Sequence, residues 1–190
     1  APIPVIEAAV TARNLSSQLD LRRSGEDLFG AAPVALADGA LSKDDLEGAL
    51  IAGKIMCYAQ GFDLLNKASD AFDWKLPMPD IAEVWREGCI IRSAMLNDMS
   101  NALTKDATGN LMFAPFFADL MKTHHAALRK VVSTAMAHGL PVPALVAALN
   151  YFDMMRTGRS TANMIQGQRD FFGAHGFERT DSSEGGHHGP

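Results

Sequence analysis

Three side chains hold most of the chemistry this 190-residue chain offers: Arg92, Arg169 and His175. A guanidinium keeps its charge at any ordinary pH and presents a planar fork of N–H donors that matches two oxygens of a phosphate or carboxylate. Two such forks and an imidazole are what a phosphorylated acidic metabolite requires of its receptor. Arg92 sits in residues 81–96, IAEVWREGCIIRSAML, flanked by Cys89, Ile90, Ile91 and Ala94. The spacing predicts a helix with this arginine in its apolar middle, where a charge is costly unless an acid or an anionic ligand meets it. Arg169 falls near the end of the last predicted helix and His175 just past it. Sequence spacing alone does not join the three, and separate structural ion pairs are the plainer account of them.

The remaining polar groups have simpler explanations. His124 and His125 are adjacent, so on a helix they diverge by about 100° and do not share a metal as residues four apart would. His187 and His188 fall in a Gly-, Ser- and acid-rich tail and read as solvated; no metal site is expected. Asp44 with Asp45, and Asp80 with Glu83, read as helix-start acids that complement the macrodipole or cap the first turn. Arg22 with Arg23 reads as a solvated helix end, and Asp153 with Arg156 as an i, i+3 surface pair. No GxGxxG follows a strand-like run, and there is no GxxxxGK[ST] loop or GxSxG elbow. Hence no catalytic residue and no coenzyme site is assigned to this chain.

Composition sets the frame for these groups. The 17 basic and 22 acidic residues give a formal charge of -5, which argues against nucleic acid or an anionic membrane as partner. With 47% hydrophobic residues the chain has enough apolar surface for a substantial core. Cys57 and Cys89 lie among apolar residues without CxxC spacing and read as buried free thiols of a reducing cytosol. No apolar run reaches the roughly 20 residues of a membrane span, so a cytoplasmic location is expected. The chain begins at Ala1 without a methionine and enters a helix almost at once, as a piece of something longer would.

An all-α domain of about six helices follows from the periodicity. Pro2 and Pro4 open a first helix to Phe29, closed by Gly30, with a loop over 31–40. Ser42 and Asp45 form a capping-box-like start, with Asp where Glu is usual, for a helix to Phe72 whose stripe is Leu46, Leu50, Met56, Leu64, Leu65 and Phe72. Gly48, Gly53 and Gly61 within it suggest close approach of a neighbouring helix. After the proline break at 74–79, a third helix runs over 80–104 and a fourth from Pro115 to Gly139. A fifth covers 144–157 and a sixth runs from Ser160 or Thr161 to Gly173. Residues 1–173 are thus expected as one helical domain and 174–190 as an extended tail.

Three segments then carry a resemblance: WREGCIIRS (85–93), KIMCYAQGFDLL (54–65) and above all IQGQRDFFGAHGFER (165–179). With EAAVTARNLSS near the start and GLPVPALVAALNYFD, they resemble, in order, the C-terminal helical domain of the 6-phosphogluconate dehydrogenase family. The resemblance implies an NADP-dependent parent enzyme of the pentose phosphate pathway and of gluconate utilization. That enzyme oxidises 6-phospho-D-gluconate at its 3-hydroxyl and decarboxylates the product to ribulose 5-phosphate. It implies that Arg92 contacts the substrate phosphate in the subunit's own site, and that Arg169 and His175 reach the substrate of the neighbouring subunit of a homodimer through an exchanged tail. The catalytic lysine and glutamate and the coenzyme domain of the family lie upstream of the part matched, so this chain alone is expected to be inactive and to bind no coenzyme. Phe171, Gly167, Gly176 and Phe177 depart from the family's usual tyrosine, alanine, threonine and tyrosine, which leaves the charged ligands intact and the fit of the arm open. The GGHHGP ending also departs from the family's usual tail. A stand-alone, non-catalytic helical dimerisation module is the alternative.

Overall fold

The computed structural model describes residues 1–33, 35–87, 89–182 and 186–189. Val34 of the expected loop, Gly88 of the expected third helix, and residues 183–185 and 190 of the expected tail lie outside them. The described chain is all-helical apart from a single antiparallel bridge between Phe177 and His187. It packs as two units, Ala1–Phe152 and Asp153–Pro190.

The first unit is organised on α3, Lys43–Phe72, and α6, Pro115–Ala137. Ser42 caps α3 in a full capping box: Asp45 N donates to Ser42 Oγ at 3.1 Å and Ser42 N donates back to Asp45 Oδ2 at 2.8 Å. Lys130 of α6 then reaches the same Asp45 oxygen at 2.6 Å, tying the two helices at that end. The expected leucine stripe of α3 is not its core face. Leu46, Leu50, Leu64 and Phe72 are exposed, while Ala49, Ala52, Ile55, Met56, Ala59 and Phe62 are buried. The reason is the small residues: a Cβ added at Gly48 would stand 2.8 Å from Ala127 Cβ, and one at Gly53 would stand 2.8 Å from Leu145 Cδ2. Backbones approach along the Gly/Ala face, and that approach decides which face is covered. Among the described residues nothing lies within 4 Å of such a Cβ at Gly61, so close approach does not account for it.

The expected first helix is two, α1 (Pro4–Ser16) and α2 (Leu19–Phe29). At the break, Ser16 and Ser17 turn their hydroxyls onto the carbonyls of Arg13 and Asn14 at 2.6 and 2.7 Å, a local bond that competes with helix continuation. α1 is pinned by its first turn, where Val5 N donates to the fully buried Gln60 Oε1 of α3 at 2.9 Å. α2 buries no residue.

The expected helix over 80–104 is also two, α4 (Met78–Arg86) and α5 (Met95–Lys105). α4 begins earlier than its acids suggested, on Pro77 and Pro79 with no side-chain cap. Glu83, instead of capping, accepts from Ser100 Oγ of α5 at 3.0 Å. A 3-10 turn, Leu111–Phe113, then leads into α6, and α7 covers Pro143–Met155. The second unit holds α8, Ala162–Gly173, followed by residues that turn back along it.

Candidate functional site

The interruption between α4 and α5 corrects the first candidate. Arg92 lies in an exposed loop and not in a buried helical turn, so the cost of burying its charge does not arise. The loop is held from α3: the Tyr58 hydroxyl donates to the Ile91 carbonyl, and Lys54 Nζ donates to Ser93 Oγ at 3.2 Å. Ser93 Oγ also accepts from Met95 N at 3.3 Å, satisfying a free donor at the start of α5. Among the described residues Arg92 makes no side-chain hydrogen bond or ion pair. With Ile6, Lys54, Cys57 and Tyr58 it rims a cavity of about 350 Å³ walled by Trp85, Ile90 and Ile91. Two cations on an otherwise apolar mouth suit a ligand with one anionic end and a carbon body.

Lys54 is the member of this rim that sequence reasoning left unnamed. Its signal was spacing: Lys54, Cys57, Tyr58 and Gly61 fall at i, i+3, i+4 and i+7 on one face of α3. Arg13 stands seven residues after Ile6 on α1, on the same stripe, exposed and without a side-chain partner among the described residues. The two thiols are free, as expected, but not buried: Cys57 is exposed and Cys89 half-buried. Even so, burial of the Cys57 sulfur against the cavity walls pushes its pKa up, which disfavours the thiolate. Burial likewise raises the Tyr58 hydroxyl, with smaller contributions from Cys57 and Cys89.

Arg169 and His175 belong to the second unit, where the geometry is tighter. α8 ends in Ala174 at φ 50, a left-handed cap that a residue with a Cβ adopts at some cost, and Gly176 follows at φ 75. His175 is therefore carried on a sharp reversal, exposed, between two left-handed residues. Its ring folds back over Gly173, where an added Cβ would stand 3.1 Å from His175 Nε2. Gln166 spans the pair: its Oε1 accepts from Arg169 Nη1 at 3.4 Å, and its Nε2 donates to the Gly176 carbonyl at 2.5 Å. A groove of about 830 Å³ runs past His175 and includes Arg159, Asn163, Gln166 and Arg179. Arg179 is already held by Asp181 through two bonds of 2.7 and 2.6 Å.

Beneath this reversal lies Asp170, 7% exposed. Its carboxylate accepts from Gly176 N at 2.8 Å, His188 Nδ1 at 2.8 Å and Gly189 N at 2.6 Å. These donors, Gly189 foremost, hold its pKa down at about 2. His188, expected in a solvated tail, is thus a partner of α8. Among the described residues no three of His, Cys, Asp or Glu stand grouped for a metal, and no helix is long and apolar enough to cross a membrane.

Comparison with known proteins places this geometry. The family model described as 6-phosphogluconate dehydrogenase, C-terminal domain, matches residues 1–189. The chain is 42% identical over 184 residues to the Lactococcus lactis protein named 6-phosphogluconate dehydrogenase, decarboxylating, covering 96% of this chain and 39% of that protein. It is 42% identical over 185 residues to the Bacillus subtilis protein named as the NAD(+)-dependent decarboxylating enzyme, covering 95% of this chain and 39% of that one. The solved structure of Plasmodium falciparum 6-phosphogluconate dehydrogenase, described in apo form, with its cofactor NADP+ and with its substrate 6-phosphogluconate, superposes with a TM-score of 0.87 at 35% identity, over 99% of this chain and 41% of that one. The chain thus spans about two-fifths of the length of the relatives it matches. Matched from its first residue almost to its last, it belongs to the 6-phosphogluconate dehydrogenase family, over that family's C-terminal domain.

Proposed function

We propose that this chain is the substrate-clamping and dimer-forming helical domain of an NADP-dependent, decarboxylating 6-phosphogluconate dehydrogenase of the cytosol. The observation that carries the reading is the match of residues 1–189 to the family's C-terminal domain, together with the geometry of the His175 reversal, built and braced as a presenting turn. Coenzyme and bond-making chemistry are assigned to the remaining three-fifths of the relatives' length, and no step is routed through this chain. The chain's part is to hold the anion. The Arg169 guanidinium takes two oxygens of the phosphate, and His175 donates a further hydrogen bond, so that binding energy at the remote phosphate positions the reacting carbons.

On this reading Arg169 and His175 serve the site of the neighbouring copy in a homodimer, through the segment that follows α8. The bare apolar side chains of α2 and α3, among them Leu28, Phe29, Leu46 and Leu50, support association between copies. Arg92 is proposed as a phosphate contact on the resemblance and on its free, exposed guanidinium. Arg13, on the same stripe and without a side-chain partner among the described residues, is a competing cation of that unit.

The test uses the decarboxylating enzyme carrying this domain. R169A and H175A are expected to raise KM for 6-phosphogluconate by about tenfold or more each, since even one lost charged hydrogen bond is worth roughly 1.5–3 kcal/mol. R92A and R13A, measured side by side, assign the contact in the first unit. Unchanged KM in both R169A and H175A would overturn the reading. The chain alone is expected to bind 6-phosphogluconate weakly by calorimetry, since a second copy and the remaining domain supply the rest of the site.

A further inference from the structure

We propose that Asp170 is a positioning residue that straps the C-terminal residues 186–189 to the turn presenting His175. The inference rests on the reading of His175 as a substrate contact, but its physical content is independent of that reading. The turn needs an external hold, because Ala174 occupies a left-handed conformation that is unfavourable for a residue with a Cβ, and such strain persists only where surroundings over-determine it.

Asp170 supplies that hold from both ends. Its backbone carbonyl accepts from Ala174 N at 2.7 Å and its side chain from Gly176 N at 2.8 Å, so the residues before and after His175 are both bonded to Asp170. The same carboxylate accepts from Gly189 N and His188 Nδ1, and Phe177 N donates to the His187 carbonyl at 2.8 Å. One buried carboxylate therefore joins the end of α8, the His175 turn and the C-terminal segment. Removing the C-terminal donors leaves Asp170 short of partners in a site with little water, so the carboxylate shifts or draws water in and the Gly176 bond loosens. Residues 186–189 thus act on His175 through Asp170.

The experiment uses the chain itself. Gly189→Pro deletes the N–H donated to Asp170. Gly189→Ala keeps it and is accommodated, since an added Cβ would stand 3.5 Å from Asp170 Oδ2, an ordinary contact. Amide hydrogen exchange and the His175 ring resonances are read by NMR, with the α8 amides reporting that the helix stays folded. Gly189→Pro and His188→Ala are expected to speed exchange at Gly176, the proline variant by about tenfold or more, and to move the His175 resonances, while Gly189→Ala changes neither. Gly176 exchange and His175 resonances in Gly189→Pro equal to those in Gly189→Ala overturn the strap. In the enzyme, Gly189→Pro is expected to raise KM for 6-phosphogluconate with kcat little changed, in the same direction as H175A. An H175A enzyme with unchanged KM would end the reading of His175 as a substrate contact and leave the strap standing on the exchange data.

Discussion

A carboxylate with several donors resists protonation, and Asp45 has three on one oxygen: Lys130 Nζ, Ser42 N and Ser42 Oγ. They hold its pKa at about 2 against an ordinary 3.8, with Lys130 the largest cause. A carboxyl depressed by folding adds stability that is complete above the unfolded value and is lost as pH falls through the folded one, here between about 4 and 2. Thermal unfolding followed by circular dichroism should therefore show a decline in melting temperature across that window. Lys130→Met should lower stability above pH 4 and flatten the decline, because Asp45 then titrates nearer its unfolded value. Asp170 falls in the same window with the same sign, so acid should loosen the His175 turn across the same range. Arg92 is the contrasting residue. Exposed and without a partner among the described residues, it should tolerate alanine with a stability change within about 0.5 kcal/mol by denaturant titration, whatever its effect on substrate.

The glycines of α3 separate packing from propensity. Gly48→Ala would set a Cβ 2.8 Å from Ala127 Cβ, so α6 must shift. Overpacking of this kind costs about 1–3 kcal/mol, against a gain of up to about 1 kcal/mol in helix propensity. Gly61→Ala meets nothing and should gain the propensity alone. Denaturant midpoints of the two variants should move in opposite directions. The same contrast explains what the sequence could say about elements. Proline and capping signals located the start of α3 and placed that of α6, because those signals act within one turn. The core face of α3 was misread because large side chains were weighted over small ones, and helix approach rewards the small. The break at Arg92 has causes that are mainly tertiary, since Tyr58 and Lys54 reach across from α3; the local signals are Gly88, a weak helix former, and Ser93, a capping type, both in mid-segment. The Arg169 and His175 turn was legible as a motif, whereas Asp170 was not, since its partners His188 and Gly189 lie 18 and 19 residues further on.

At the scale of the whole chain, α2 stands apart. Leu28 and Phe29 are 77% and 89% exposed, and the helix buries none of its 11 residues. Light scattering should show self-association of the chain, and Leu28→Glu with Phe29→Glu should shift it toward monomer if this face takes part. A monomer at all concentrations would remove the dimer from the proposed function. A helix this short draws little stability from its own backbone, since isolated helices below about 12–15 residues are marginal in water. Without a covering surface, α2 should exchange with coil, and anything that covers it should shift that equilibrium by mass action. Helicity then becomes a function of concentration: the far-ultraviolet ellipticity per residue should fall on dilution, and the α2 amides should be among the first to exchange. Secondary structure, ordinarily a property of one chain, would here report how many copies are present.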